Sequence, residues 1–578
     1  MKVKGHGQNA ENSLKKRGDA LTRPRDQGLD LSEMAHMSGS QVLNRILELE
    51  EAREVVQALS PQDYYWLIKK VGEDDCLPLL ELGHSRQWHH VMDLELWQKD
   101  RLDLDQASEW MKRLQLANTV ELAKWLYTEG QHFAYYYFFK MLDVRIIRHD
   151  DVVDVPEGFF SFDGVFYVKP RDPELQETLQ KVLEAMASMD LERYHTLLLG
   201  LSGVLPAELE EEMFRLRNVR LAEYGFLPFD EAMSIYSGLP PETLTMAETE
   251  SKEGVVTVED EDVRSIIPLS PFYHTQDRTM LAQVASRIHD EGFLDRLRLE
   301  FAGLCNQILS AEGLRVDHFD VLIKTCRRAA GYVNVALEKL SKRDIVLAEN
   351  LLRKNSLFHV FRVGFGLALR VKWETERWLK DSWFRRAGFP LSFWGERWGA
   401  VLGGLVEKKP LYYVGDKEEG ELYRDFESPE EIEEVHLISM GCRVMDRVLE
   451  KVAETVELGE VIREEPDITF HVILFNIWAH HILGHELTAD PLSMEEARSF
   501  FHRIRGKDRS RPYKMPGFRE QFVAYFATLN PLLEQQDLTF LQHTLSALWE
   551  EFLQEYQWVH IDDLDARFSR LVKIRPSP

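Results

Sequence analysis

The chain has 578 residues, which exceeds what one hydrophobic core usually supports and predicts roughly three or four domains. Apolar residues make up 44% and charged residues 29% of the chain, so a chain that is disordered throughout is excluded. The formal net charge of −27 repels polyanions. Nucleic acid and anionic membranes are therefore unfavourable partners.

Cysteine usage and the absence of long apolar runs predict a cytoplasmic protein. The four cysteines are far apart and form no CxxC pair: Cys76, Cys305, Cys326 and Cys442. Lys2 and Lys4 precede no apolar stretch of the kind that a secretory signal needs. The most apolar run, HVILFNIWAHHIL, is shorter and more polar than the about 18 residues of a membrane span.

Hydrophobic periodicity predicts a mainly α fold, with α-solenoid-like helical repeats, a second helical domain and one or two small β-hairpins. The predicted regions, in chain order, are a disordered tail at 1–40, a helical-repeat domain at 41–150, a hairpin with a helical extension at 151–241, an acidic linker at 242–271, and a C-terminal helical domain at 272–578.

The clearest helix start lies in LSPQDYYWLIKKVG. Ser60 is a good N-cap, Pro61 takes the first helical position, and Asp63 completes a pattern like a capping box. Apolar residues then recur at i, i+3, i+4 and i+7, and Gly72 ends the helix. Similar short helices follow up to Gly130. Because none can bury its apolar stripe alone, we expect them to stack on one another.

Two segments interrupt the helical pattern. FFSFDGVFYV, 159–168, is rich in aromatic and β-branched residues on both sides of Asp163-Gly164, which predicts a hairpin at that dipeptide. PLYYVGDKEEGELYRDF, 410–426, predicts a second hairpin, after which Ser428 begins a new helix.

The Leu-Pro and Ser-Pro helix starts within 58–130 and 204–245 resemble the cytoplasmic N-terminal superhelix of MgtE-type magnesium transporters. They also resemble the helical modules of the flagellar switch protein FliG. Such repeats serve those families as interaction or regulatory modules, so the resemblance implies a similar role here. The chain departs from the transporters in having no membrane helices and no segment like their paired regulatory domains.

The whole chain resembles an uncharacterised bacterial family of about this length. Three stretches carry this resemblance: SPQDYYWLIKKVGEDDCLPLLEL, LDLELWQKDRLDL and RLAEYGFLPFDEAMSIY. That family is of unknown function, so the resemblance implies a mostly helical fold and no particular activity.

A histidine-rich segment is a candidate metal site. In ITFHVILFNIWAHHILGHE, predicted as one helix, His471, His481 and His485 project within one face, and Glu486 is a nearby oxygen ligand. The segment contains neither HExxH nor the inverted HxxEH pattern of zinc enzymes. The alternative is a buried helix whose histidines bond to carbonyl groups or neighbouring helices.

The basic segment, residues 503–519, stands out in an acidic protein. Its seven cationic side chains are Arg503, Arg505, Lys507, Arg509, Arg511, Lys514 and Arg519, opposed by Asp508. Such a cluster could bind a phosphate, a nucleic acid or an acidic protein surface. The alternative is that the segment docks against the chain's own carboxylates.

The aromatic segment, residues 358–398, alternates aromatic rings with arginine and lysine, a mixture that single-stranded nucleic-acid sites use. The helical spacing of Trp373, Arg377 and Lys380 favours core packing with a basic exposed face. No P-loop occurs, and GFGLAL at 364–369 lacks the third glycine of a dinucleotide fingerprint.

These patterns favour a cytoplasmic helical scaffold or regulatory protein that binds a protein partner and has no complete catalytic motif. The alternatives are a metal-dependent hydrolase or phosphate-ester enzyme using the histidines of 471–486, and nucleic-acid or phosphate binding through the basic segment. No cofactor is predicted, apart from the divalent metal that the second hypothesis requires.

Overall fold

The computed structural model describes residues 31–147, 157–244, 268–274, 279–313, 316–415, 421–454, 456, 468–505, 510–529 and 534–575. The chain divides into an N-terminal unit, Met1–Val363, and a C-terminal unit, Gly364–Pro578. Both units are mainly helical, which confirms the predicted fold class. The solenoid arrangement stays a prediction.

The α-helices of the N-terminal unit are Leu31–Ala35, Gly39–Leu47, Ala52–Gln57, Pro61–Val71, Leu77–Leu82, Ser85–Glu95, Leu104–Tyr127, Gln131–Met141, Gln176–Met189, Leu191–Gly200, Pro206–Ala222, Phe229–Ala232, Ser270–Tyr273, Met280–Ala285, Glu291–Glu312, Phe319–Ser341 and Ile345–Lys354. Short 3-10 helices lie at Pro173–Leu175, Leu201–Gly203, Met233–Tyr236 and Pro241–Thr243.

The helix Leu357–Asp381 includes the boundary between the units. The α-helices that follow are Trp383–Arg386, Gly395–Val406, Pro429–Ala453, Phe470–Leu483, Met494–Arg505, Phe518–Thr528 and Gln535–Tyr556, with 3-10 helices at Leu391–Trp394 and Ile561–Asp563. Ser428 begins the helix Pro429–Ala453, as predicted, and it forms a complete capping box.

Three two-stranded antiparallel sheets occur in the described residues. They pair Trp97–Gln98 with Arg101–Leu102, Leu142–Ile146 with Phe166–Pro170, and Tyr412–Tyr413 with Tyr423–Arg424. The third pair confirms the hairpin predicted in 410–426. The first pair was not predicted, because its strands are too short to show an alternating pattern.

The predicted hairpin at Asp163-Gly164 is corrected by the structure. The strand Phe166–Pro170 takes Leu142–Ile146 as its main partner, and only Phe160 pairs with it from the predicted side, opposite Val168. The Asp163 carboxylate instead accepts the backbone N–H groups of Val165 and Phe166, both at 2.8 Å, which makes the segment a loop.

Helical structure begins earlier than predicted. Residues 1–30 of the predicted tail lie outside the described residues, but Leu31–Ala35 and Gly39–Leu47 are helices. Ser38 caps the second of them with a complete capping box. Residues 245–267 of the predicted acidic linker also lie outside the described residues.

The helix Pro61–Val71 is buried on nearly all sides, although its sequence pattern predicts one apolar stripe. The charged side chains that it buries, Asp63 and Lys69, are paired, as buried charges must be. Asp63 accepts hydrogen bonds from the backbone N–H groups of Leu269 and Ser270 at 3.0 and 2.7 Å. Lys69 lies 2.8 Å from Glu95, which also accepts a hydrogen bond from Tyr65.

Aromatic packing surrounds the helix Phe470–Leu483 in the C-terminal unit. Every residue from Phe470 to His480 is buried. Trp478 contacts Phe500, Phe522 and Trp549 edge to face, at centroid distances between 5.3 and 5.5 Å. A helix that is apolar all round belongs in a core, which explains the position of this element.

Candidate functional site

The predicted histidine helix ends before His485. Gly484, at φ +80°, is its C-cap in the left-handed conformation, and its N–H is donated back to the carbonyl groups of His480 and His481. His485 therefore lies beyond the helix, and its backbone N–H is donated to the His480 carbonyl at 3.0 Å. The expectation that one helix face carries His481 and His485 is wrong for this physical reason.

The structure separates the predicted ligands. His471 is buried against the ring of Phe470, with its Nε2 3.5 Å from Glu551. His481 stacks on Tyr525 at a centroid distance of 4.2 Å. Glu486 is exposed beyond the end of the helix. Burial lowers the pKa of His471 to about 4, so its imidazole is neutral near pH 7.

His485 contacts a histidine that was not predicted as a ligand. Its Nδ1 lies 3.3 Å from Nδ1 of His480 and 3.6 Å from a carboxylate oxygen of Glu496. His480 also bonds through Nε2 to the Asp490 carbonyl at 3.1 Å. Among the described residues, no group of three His, Cys, Asp or Glu side chains is arranged to hold a metal ion. The metal site stays a prediction that these contacts do not support.

Replacing Gly484 by alanine is expected to lower the free energy of unfolding by about 1 kcal/mol, because alanine is strained at positive φ. No atom lies within 4 Å of the position that a Cβ would take, so the loss measures backbone strain alone. Urea unfolding checks it. Gly203→Ala, which has equally open surroundings without a positive φ, is the control and should change stability little.

Arg505 shows how the basic segment docks on its own unit. Its side chain is buried between the rings of Phe501 and Tyr513, and it donates a hydrogen bond to the Tyr556 carbonyl at 3.0 Å. Burial lowers its pKa to about 10. This arginine is thus a packed core residue whose guanidinium is not accessible to a partner.

The other described arginines of the basic segment also have acceptors within the chain. Arg503 donates to the Ile482 carbonyl at 2.7 Å, Arg511 lies 3.3 Å from Asp563, and Arg519 lies 3.4 Å from Glu550. Lys514 is exposed, and Lys507 and Arg509 lie outside the described residues. The four described arginines of the basic segment therefore contact acceptors or rings of their own chain. Anion or partner binding by the whole segment stays a prediction.

Most rings of the aromatic segment are core residues. Phe361, Phe365, Phe384 and Trp394 are buried. Trp378 packs on the core and donates to Asp446 at 3.3 Å. Trp373 is the exception, with 53% of its surface exposed. This packing agrees with the prediction from helical spacing, which favoured core packing over a surface that stacks nucleic-acid bases.

The adjacent residues His89 and His90 lie in different surroundings. His89 accepts a hydrogen bond on Nδ1 from Trp125 at 3.0 Å, whereas the ring of His90 packs on Tyr224 at a centroid distance of 4.5 Å. Burial lowers the pKa of both imidazoles, that of His90 to about 4. These contacts do not support a metal site that both histidines would share.

The C-terminal segment, residues 557–575, exposes two large rings that the sequence reasoning missed. Trp558 is 57% exposed and Phe568 is 75% exposed. The basic segment contacts the chain beside them, since the Tyr513 N–H is donated to the Gln557 carbonyl at 2.9 Å. No periodicity marks the two rings in the sequence, because both lie outside regular helices.

A second overlooked residue is Lys70, which borders a cavity of about 550 Å³ in the N-terminal unit. In the sequence it reads as an exposed cation in the last turn of a helix. Its surroundings come from residues far away in the chain, so no local pattern could have identified it.

Within the described residues, no helix is long and apolar enough to cross a membrane. No curated protein and no solved structure matches the chain. A family model does match, over residues 25–575, which is nearly the whole length. The chain therefore belongs to the family of unknown function DUF6178.

Proposed function

We propose that the protein is a cytoplasmic helical scaffold or regulatory protein that acts by binding a protein partner rather than by catalysis. The observation that carries the proposal is the exposure of Trp558 and Phe568 in the C-terminal segment. Tryptophan is among the residues most enriched at the energetic centres of protein interfaces, and aromatic residues in general are enriched there. The partner would offer an apolar recess to the two rings.

The C-terminal segment is held in place on both sides of the exposed rings. Before them, Tyr556 is buried, and its hydroxyl pairs with Ser569 at 2.7 Å and accepts the Val572 N–H. After them, the Lys573 N–H is donated to Asn476 at 2.9 Å, and Leu492 pairs with Ile574. A surface that is fixed beforehand loses little conformational entropy on binding.

Charged side chains of both signs lie near the rings. Arg511 pairs with Asp563, and Arg567 pairs with Asp565 at 2.7 Å. Exposed aromatic rings in a segment with charged residues of both signs have the mixed composition of a transient protein interface. This arrangement supports reversible association, as a regulatory protein requires.

The test compares three tagged full-length chains in extracts of the native cells: wild type, the double variant Trp558→Ala/Phe568→Ala, and Trp373→Ala. The control removes a tryptophan of nearly equal exposure, 53% against 57%, from the same unit. We expect a stoichiometric partner with wild type and the control. Capture by the double variant should be at least about tenfold weaker.

The captured partner is then purified and titrated into each chain by calorimetry. The same order of affinities would support the proposal. Two results would overturn it: equal affinities for all three chains, or the recovery of no stoichiometric partner together with turnover of a small substrate by the purified chain.

A further inference from the structure

The cavity beside Lys70 lies within the N-terminal unit and has a volume of about 550 Å³. Small-molecule sites typically have volumes of about 300 to 1,000 Å³. Its walls come from the link between the first two helices, the end of the helix Pro61–Val71, the end of Ser270–Tyr273, and the start of Phe319–Ser341. Apolar side chains on these walls include Met37, Phe319 and Ile323.

Lys70 has one hydrogen-bond donor to spare. Its ammonium group donates to the carbonyl groups of Met34 and Ala35, at 2.5 and 2.8 Å, where the helix Leu31–Ala35 ends. An ammonium carries three hydrogens. The ammonium nitrogen also lies 5.3 Å from the centroid of the Phe319 ring. Among the described residues, no carboxylate lies within ion-pairing distance of Lys70 and no third hydrogen-bond acceptor contacts it, so the third hydrogen is available to a ligand.

Lys372 in the other unit provides a direct comparison. It also donates to two carbonyl groups where a helix ends, those of Val406 and Glu407, at 2.9 and 2.7 Å. Its third hydrogen goes to Glu376 at 2.7 Å. The third hydrogen of Lys372 thus has a carboxylate partner, whereas Lys70 has no carboxylate partner among the described residues and borders the cavity.

The charges around the cavity favour a monoanion. Lys70 and Arg327 supply two positive charges and Asp320 supplies one negative charge, which leaves a formal excess of one positive charge. Burial lowers the pKa of His274 to about 4, with Lys70 and His36 acting in the same direction, so its imidazole is neutral near pH 7. Arg327 is exposed and has no carboxylate partner among the described residues.

We propose that the Lys70 cavity binds a small organic monocarboxylate, whose carboxylate accepts a hydrogen bond from Lys70 and whose apolar body packs on Phe319, Met37 and Ile323. A dianion such as a phosphate monoester exceeds the local positive charge, and a neutral molecule can accept the hydrogen bond but leaves the positive charge of Lys70 without a counter-ion. This site is separate from the exposed rings of the C-terminal segment, so each proposal can fail without the other.

The protonation of Lys70 makes anion binding at this site dependent on pH. Burial lowers the pKa of its ammonium group to about 8. The other titratable or charged groups on the cavity walls are His36, Tyr273, His274, Asp320 and Arg327. Carboxylate affinity should therefore fall as the pH rises through about 8, where Lys70 loses its charge.

The test is a calorimetric titration of the full chain with benzoate, with benzyl alcohol as the neutral analogue and phenyl phosphate as the dianionic analogue. We expect benzoate to bind with a dissociation constant of about 1 mM or lower, and more tightly than either analogue. Lys70→Met should weaken benzoate at least about tenfold. Lys372→Met, the matched control, should leave benzoate affinity unchanged.

A second variant keeps the proposal testable if Lys70→Met does not fold. Arg327 is exposed, so Arg327→Gln should fold normally and weaken benzoate about threefold or more. Benzoate should also slow acylation of Lys70 by an amine-reactive reagent at pH 8, as peptide mass spectrometry would measure. The proposal is overturned if benzoate does not bind at about 10 mM, if phenyl phosphate binds more tightly, or if Arg327→Gln binds benzoate as wild type does.

Discussion

Replacement of Asp63 by alanine is expected to lower the free energy of unfolding of the N-terminal unit by about 3 to 5 kcal/mol. The carboxylate is buried and accepts the backbone N–H groups of Leu269 and Ser270, at 3.0 and 2.7 Å, together with the Ser60 hydroxyl at 2.8 Å. Without it, two buried N–H groups lose their acceptor, and each costs about 1 to 3 kcal/mol.

Urea unfolding measures the loss, and hydrogen exchange at the amides of Leu269 and Ser270 locates it. Asp74→Ala is the control, since that carboxylate is fully exposed in the loop after the same helix and should change stability by less than about 0.5 kcal/mol. If Asp63→Ala lowers the free energy of unfolding no more than the control does, the hydrogen bonds from Leu269 and Ser270 to the Asp63 carboxylate do not form.

Lys69→Met is expected to cost about 3 to 5 kcal/mol, because it leaves a buried carboxylate without its cation. Lys69 lies 2.8 Å from Glu95, and both side chains are only 2% exposed. Burial already raises the pKa of Glu95, and Lys69 opposes that rise, so removing the lysine raises the pKa further.

The loss in Lys69→Met should therefore depend on pH. A carboxyl group whose folded-state pKa is raised stabilises the fold below its unfolded pKa and loses that contribution as the pH rises through the folded value. We expect a smaller loss at pH 5 than at pH 8. Urea unfolding at the two pH values checks the sign.

The double variant Lys69→Met/Glu95→Gln tests the cause of this loss. Glutamine is neutral and can still accept the Tyr65 hydroxyl, which donates to Glu95 at 2.7 Å. The double variant should be more stable than the sum of the single losses predicts, by at least about 1 kcal/mol. Additive losses would show that the two side chains act independently.

Local chemistry explains why many helix starts could be predicted. Ser60 and Ser428 each accept a backbone N–H three residues ahead, so the whole signal lies within one turn of the chain. The prediction of a hairpin at Asp163-Gly164 was wrong in its main strand pair, because the continuous partner of Phe166–Pro170 is Leu142–Ile146 and only Phe160 pairs on the other edge. A turn signal specifies where a chain bends and leaves open which strand pairs with it.

The candidate sites were harder to predict than the fold. His485 leaves the predicted helix face because Gly484 ends the helix one residue before it. Arg505 reads as a surface cation, but it is buried between two rings. In both cases the sequence showed which side chain was present but did not reveal its surroundings. The surroundings depend on helices and loops that pack against the residue from distant parts of the chain.

By itself, the sequence determined the helical class, several helix starts, the hairpin in 410–426 and membership of the family. These depend on residues that are neighbours in the chain. Only the tertiary structure decided that Asp63 caps a helix 206 residues later in the chain, that Lys70 borders a cavity, and that Trp558 and Phe568 stay exposed. The physical reason is that hydrogen-bond partners and burial are set by packing between distant segments, which no local pattern of residues encodes.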